Sequence, residues 1–192
     1  MDDGRTEPMG RAEIMAWRKS ERERLIAARL ALPAETRAAV SVAIAADITR
    51  KIGDFRGRTV SFYWPFRGEP DLRDLMAAVT AGGGRSLLPV VVAKGEPLVF
   101  RPWQAGEPLT RGIWNIPIPE TDETALPDVV IAPLVGFDSE NYRLGYGGGF
   151  FDRTLAALPH RPVVFGVGYA LQRLESIHPL AHDIPMDEIV LG

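Results

Sequence analysis

A chain of 192 residues with 46% hydrophobic content can bury one sizeable core, so a single domain is expected. A formal net charge of −3 gives no global basic field and argues against nucleic acid or an anionic membrane as partner. The chain has no cysteine, which excludes disulfides and thiolate zinc sites, and it shows neither a membrane-length apolar run nor a signal-peptide start, so a cytoplasmic protein is expected.

Residues 1–10 are polar with Gly and Pro and read as a disordered tail, ahead of one domain over 11–192. Helix formers fill Arg11 to about Leu32 until Pro33 interrupts them, which predicts an N-terminal helical arm. Val40, Ile44, Ile48 and Ile52 then form an i, i+4 apolar stripe closed by Gly53. "TVSFYW" (59–64) reads as a strand, and Leu72, Leu75, Met76 and Val79 as a helical stripe ending at glycines 82–84. "RSLLPVVVA" and "PLVFRPW" read as two strands in a hairpin, followed by a long connection from Gln104 to Ala125 of the kind that often carries a binding site. "DVVIAPLVGFD" (128–138) is a continuous apolar run typical of a strand buried on both faces. Phe151, Leu155 and Leu158 keep helical spacing, "RPVVFGVGYA" is a further buried strand and "DEIVLG" a short last one. Strands alternating with helices predict an α/β fold with a mostly parallel central sheet flanked by helices, its ligands at the carboxyl ends of the strands.

Between the buried run and the next helix lies "YRLGYGGGFFDR" (142–153), with four glycines and four aromatic rings. Glycines there let backbone N–H groups converge at a helix N-terminus, an arrangement suited to phosphate; a tight structural turn is the other reading. Neither the P-loop nor the dinucleotide pattern is present. Arg143 can pair with a phosphate or form a surface ion pair. Asp152 can complement the helix dipole or bind Mg²⁺, in which case a second carboxylate is wanted, and Asp183 and Asp187 offer one. His178 and His182 are spaced i, i+4, but Pro179 and Pro185 argue against the helix that would align them on a metal. Arg18 and Arg22, with Lys19 beside them, share a helical face that reads either as an anion site or as a solvated surface neutralised by Glu21 and Glu23. Glu69 sits in a Pro- and Gly-flanked loop where it can accept from an amino-substituted ring or simply face water. Trp64, Trp103 and Trp114 can build a flat aromatic pocket or join the core.

These residues together resemble the 5-formyltetrahydrofolate cyclo-ligase family, also called methenyltetrahydrofolate synthetases. "RLGYGGGFFDR" resembles its nucleotide loop, and "RGE" (67–69), "LPVVV" (88–92), "WNIPIP" (114–119), "PLVGFD" (133–138) and "AHDIPMDEIV" (181–190) resemble its other motifs in the same order. The resemblance implies a three-layer core like that of ribose-5-phosphate isomerase and the CoA transferases. It also implies an ATP- and Mg²⁺-dependent conversion of 5-formyltetrahydrofolate to 5,10-methenyltetrahydrofolate, with release of ADP and phosphate.

Carried over by position, Arg18, Lys19, Arg22, Arg143, Leu144, Gly145, Tyr146, Gly147, Gly148, Gly149, Phe150 and Phe151 are implied to bind ATP. Trp64, Glu69, Trp114, Tyr146, Gly147, Gly148, Gly149 and Phe150 are implied to border the folate. Asp152 and Asp183 are implied to hold Mg²⁺, and Arg143 and Tyr146 to be the catalytic residues. Phe150 and Phe151 depart from the family's usual Tyr-Tyr, Glu21 stands where an apolar residue is usual, and the N-terminal tail is longer than a minimal member needs. A sugar-phosphate isomerase, or a folate- or nucleotide-binding protein without turnover, are the alternatives. Partners are expected to be the two small molecules, with no nucleic acid and no membrane; the sequence does not set the oligomeric state.

Overall fold

The computed structural model describes residues 9–192; most of the expected tail, residues 1–8, lies outside them. Two helices lead, α1 (Arg11–Leu30) and α2 (Ala34–Ile52), separated at Pro33 as the sequence predicts. Gly53 closes α2 with φ +73, a conformation that favours glycine. The inward face of α1 is unusual. It buries Leu25 together with Arg18 and Arg29, so charged side chains occupy positions where an amphipathic helix normally carries apolar ones.

A six-stranded sheet forms the centre. Its strands are β1 (Thr59–Ser61), β2 (Arg85–Val90), β3 (Val99–Pro102), β6 (Val129–Pro133), β9 (Val163–Gly168) and β10 (Glu188–Leu191), in the spatial order β10-β9-β6-β1-β2-β3. All neighbours pair in parallel except β2 with β3, the expected hairpin. Alternation along β6 explains why its five residues are all buried. Val129 and Ile131 pack with Ile44 and Ile48 of α2 and with Leu75, Met76 and Val79 of α3 (Arg73–Ala81). Val130 and Ala132 point the other way, against Phe151 and Leu155 of α4 (Phe150–Ala157). Helices therefore cover both faces, giving the three-layer arrangement.

Three expectations are corrected by the fold. The strand over 59–64 is regular only to Ser61, although Phe62 and Tyr63 remain buried beyond it. The 128–138 run is not one strand: β6 ends at Pro133, and Gly136–Phe137 (β7) pairs antiparallel with Arg143–Leu144 (β8). The chain turns there because α1 packs close. A Cβ on Gly136 would lie 2.9 Å from Leu25 Cδ1. Buried Asp138 fixes the β7–β8 hairpin by accepting from the N–H groups of Glu140, Tyr142 and Ile177. The 104–125 connection contains an antiparallel ribbon, β4 (Leu109–Arg111) with β5 (Pro117–Pro119), joined through a 3₁₀ turn at Ile113–Asn115.

Chain order reverses between β1 and β6: β2 and β3 extend the sheet to one side, β9 and β10 to the other. Such a switch point leaves a crevice outside the carboxyl ends of the strands. No helix among the described residues is long and apolar enough to cross a membrane.

Candidate functional site

A cavity of about 730 Å³ opens at that switch point. Its walls come from the segment after β1, the end of β2, the β4–β5 ribbon, the glycine loop and one face of α1. The volume lies within the ordinary range of small-molecule sites.

One wall is cationic. Arg22 donates from Nε to the carbonyl of Gly145 at 2.6 Å, and Arg143 from Nη1 to that of Pro133 at 2.8 Å. Neither has a carboxylate within ion-pair distance among the described residues. Burial lowers the pKa of Arg22, as do the neighbouring charges of Arg18 and Arg143; burial likewise lowers that of Arg143. Nε of Arg143 is buried without a partner, and its guanidinium lies 4.7 Å from the Phe151 ring centroid. Mutually repelling, partly desolvated guanidiniums are a site for an anion. The glycines permit this crowding: a Cβ on Gly145 would sit 2.9 Å from Nη1 of Arg143. At Gly147 it would sit 3.3 Å from the Arg22 guanidinium, and φ there is +99. The loop ends at the N-terminus of α4, which directs free N–H groups toward the same region.

Beside this wall lies a buried acid. Glu69 is only 7% exposed; its Oε1 accepts from the Tyr146 hydroxyl at 2.9 Å and its Oε2 from the Phe66 N–H at 2.9 Å. Burial pushes its carboxyl up to about 7, against the opposing charge of Arg29 and these hydrogen bonds. Aromatic side chains add flat walls. Trp114, 62% exposed, meets Phe150 edge-on at 5.9 Å, and Trp64 meets Trp103 at 5.6 Å. Trp114 and Asn115 both hold positive φ (+55 and +62), a strained turn that presents the indole to the cavity.

The sequence model of the 5-formyltetrahydrofolate cyclo-ligase family matches residues 14–192. The chain belongs to this family. It is 35% identical over 142 residues to the 5-formyltetrahydrofolate cyclo-ligase of Escherichia coli (strain K12), covering 69% of this chain and 76% of that one. The Haemophilus influenzae cyclo-ligase is 28% identical over 144 residues, with 71% and 77% covered. Among solved structures, the Aquifex aeolicus 5,10-methenyltetrahydrofolate synthetase superposes with a TM-score of 0.78 at 28% identity, covering 90% of this chain and 88% of that one. The Mycoplasma pneumoniae synthetase superposes at 0.75 and 22% identity, covering 91% and 98%, and supports the fold.

Of the residues that the cyclo-ligase resemblance nominates, the cavity brings together Arg18, Arg22, Trp64, Glu69, Trp114, the loop Arg143–Phe151, Asp152 and Asp183. Lys19 is exposed and outside the lining, because one residue's advance turns it about 100° round the helix from Arg18. Trp103 is likewise outside, supporting Trp64 from behind. His178 packs edge-on against Trp17 at 4.7 Å, whereas His182 lines the cavity. Asp187 accepts from the Val164 N–H at 2.7 Å and pairs with Arg161, a role in anchoring β9.

Asp152 and Asp183 fit Mg²⁺ in part. Ile184 N–H, next in the chain to Asp183, donates to Oδ1 of Asp152 at 2.9 Å and leaves Oδ2 of Asp152 without a protein donor among the described residues. Asp183 is tied to Arg18 at 2.5 Å and to the Leu180 N–H at 2.6 Å. Burial opposes its ionisation, but these bonds outweigh that and hold its carboxyl below the ordinary range. Among the described residues no group of three or more carboxylate or histidine ligands converges.

Sequence reasoning missed Arg29. Its guanidinium is fully buried and donates to the carbonyls of Arg67 and Leu134 and to the Tyr146 hydroxyl. The signal was present as spacing: 18, 22, 25 and 29 lie on one helical face, and three of the four are arginine.

Proposed function

We propose that the protein closes 5-formyltetrahydrofolate to 5,10-methenyltetrahydrofolate while ATP is converted to ADP and phosphate. One observation carries this reading. Tyr146 bonds the buried acid Glu69, while its neighbours Gly145 and Gly147 lie against the guanidiniums of Arg143 and Arg22. A single short loop thus borders an anion wall and an acceptor suited to the N–H groups of an amino-substituted ring.

The chemistry explains why both are needed. A formyl amide oxygen leaves poorly when an amine attacks its carbon. Phosphorylating that oxygen makes it a good leaving group; N10 then bonds the carbon, phosphate departs, and the N10 proton passes to solvent. Little covalent work falls to the protein, so its task is positioning and charge stabilisation. In this reading Arg22 and Arg143 hold the phosphates, with Arg143 and Tyr146 at the transferring group. Glu69 accepts from the pterin, and Trp64, Trp114 and Phe150 wall the flat ligand. Asp152 and Asp183 would hold Mg²⁺, which supplies charge neutralisation at the phosphates. Arg18 contributes by fixing Asp183.

The test is direct. Purified protein mixed with 5-formyltetrahydrofolate, ATP and Mg²⁺ should develop the absorbance of methenyltetrahydrofolate, with one ADP per product. No product with either substrate bound would leave a binding protein, and isomerisation of a sugar phosphate without ATP would replace the reading altogether.

A further inference from the structure

We propose that Arg29 is a positioning residue for the folate: acting through the Tyr146 hydroxyl, it holds Glu69 as an ionised acceptor facing the cavity. The proposal rests on the cyclo-ligase reading for the identity of that ligand. Arg29 has no solvent exposure and, among the described residues, no carboxylate within ion-pair distance. Its three acceptors are neutral: the Arg67 carbonyl (2.9 Å), the Leu134 carbonyl (3.2 Å) and the Tyr146 oxygen (2.8 Å). A buried guanidinium requires a counter-charge, and Glu69 supplies it one hydroxyl away.

Arginine can only donate, so the Tyr146 oxygen accepts from Nη2, and toward an ionised Glu69 its own proton turns to Oε1. Oε2 already accepts from the Phe66 N–H. Both carboxyl oxygens are thus engaged as acceptors, the arrangement that favours the ionised form. The other groups facing Glu69 are Arg143 from the glycine loop, Tyr63 after β1 and Tyr169 after β9. Tyr63 and Tyr169 donate instead to the carbonyls of Pro70 and Gly68. Arg29 also fixes the segment that carries the acid. Arg67 and Gly68 hold φ of +48 and +75, and the Arg67 carbonyl is the one Arg29 Nε secures.

The experiment measures 5-formyltetrahydrofolate binding without ATP, and kcat/KM for each substrate, across pH for wild type, Arg29→Gln, Arg29→Lys and Tyr146→Phe. With the Arg29 charge removed, the acidic limb for the folate should move up by about one to two pH units, the scale of an opposite charge at roughly 5 Å. Folate kcat/KM at about pH 7 then falls roughly tenfold or more and largely recovers by about pH 9, with the KM for ATP changed less than about threefold. Arg29→Lys keeps the charge and should shift the limb less. In a Tyr146→Phe background Arg29→Gln should add less than it does alone, because the relay is already cut. A uniform loss at every pH with the limb unmoved would overturn the proposal and leave Arg29 a structural residue. Should Arg29→Gln not fold, Tyr146→Phe decides: its limb must also move up, and an unmoved limb overturns the relay. Wild type that binds the folate but yields no methenyl product would instead sink the function reading, while the binding titration still judges Arg29.

Discussion

Replacing Glu69 by Gln should remove a pH dependence from the stability of the ligand-free protein. Burial raises the Glu69 carboxyl from 4.5 to about 7, so the folded state holds this proton more tightly than the unfolded chain does. Between those two values the unfolded chain has released the proton and the folded protein keeps it. Stability therefore falls as pH rises through this window, by about 1.4 kcal/mol per pH unit and about 3 kcal/mol in all, and stays lower above it. Gln cannot ionise and lacks this fall. Its carboxamide has one acceptor oxygen for the two donors, Tyr146 and the Phe66 N–H, so the variant also loses about 1–3 kcal/mol at every pH. The observable is the gap between the two proteins. Urea unfolding at about pH 5 and about pH 8 should show the variant less stable at the lower pH, with the gap closing or reversing at the higher. A gap constant within about 1 kcal/mol would refute the assignment of a raised carboxyl at this position.

Asp152→Asn should lower turnover well over tenfold and raise the Mg²⁺ requirement with little loss of stability, since an amide oxygen can still accept from Ile184; wild-type turnover at saturating Mg²⁺ returns Asp152 to a helix-end role. Asp183→Asn should be as inactive and also less stable by about 3–5 kcal/mol in denaturant titration, because it leaves Arg18 buried without its partner. Arg22→Ala should raise the KM for ATP about tenfold or more with a smaller change for the folate; equal changes would mean that this helix face does not address phosphate. The double variant Phe150→Tyr, Phe151→Tyr should change kcat only a few-fold, since the rings stack edge-on and against arginine through faces that Phe and Tyr share; a gain above about 10²-fold would show that a hydroxyl donor is missing.

Much of the fold was legible because period and punctuation agreed. Pro33, Gly53 and glycines 82–84 end their elements where the apolar stripes stop, and the stripe residues Ile44, Ile48, Leu75, Met76 and Val79 all reach the core. The 128–138 run misled because burial was read as strand continuity. Its second half is buried by α1 and by the turn at Asp138, neither of which alters local hydrophobicity. The β4–β5 ribbon was hidden by its prolines, which mark edges and turns and say nothing about pairing partners. At the site, the glycine loop, Glu69 and the paired aspartates were visible as residue types, and the resemblance gave them roles. That Arg18 ties down Asp183, and that Lys19 faces away, depend on helix rotation and on contacts across 165 positions of sequence.

The arginines of α1 and the glycine loop have a common physical cause. The end of β6 and the irregular segments around the crevice carry carbonyls to which no neighbouring strand donates, and a buried carbonyl without a donor is unfavourable. Here the donors are guanidiniums: Arg143 takes the Pro133 carbonyl, Arg29 those of Leu134 and Arg67, Arg22 that of Gly145, and Arg18 those of Ile177 and His178. Gln172 completes the set by donating to Leu134 and Val135. Each guanidinium carries five N–H groups in a fixed fork, so satisfying one or two carbonyls anchors it while other donors keep their direction. For Arg18 those go to Asp183, and for Arg29 to Tyr146; Arg22 and Arg143 keep theirs at the cavity wall. Arg18, Arg22 and Arg143 therefore satisfy backbone carbonyls and line the cavity at once. Lysine, with one compact ammonium, could satisfy a carbonyl or address an anion at these positions, but would not hold both in a fixed geometry.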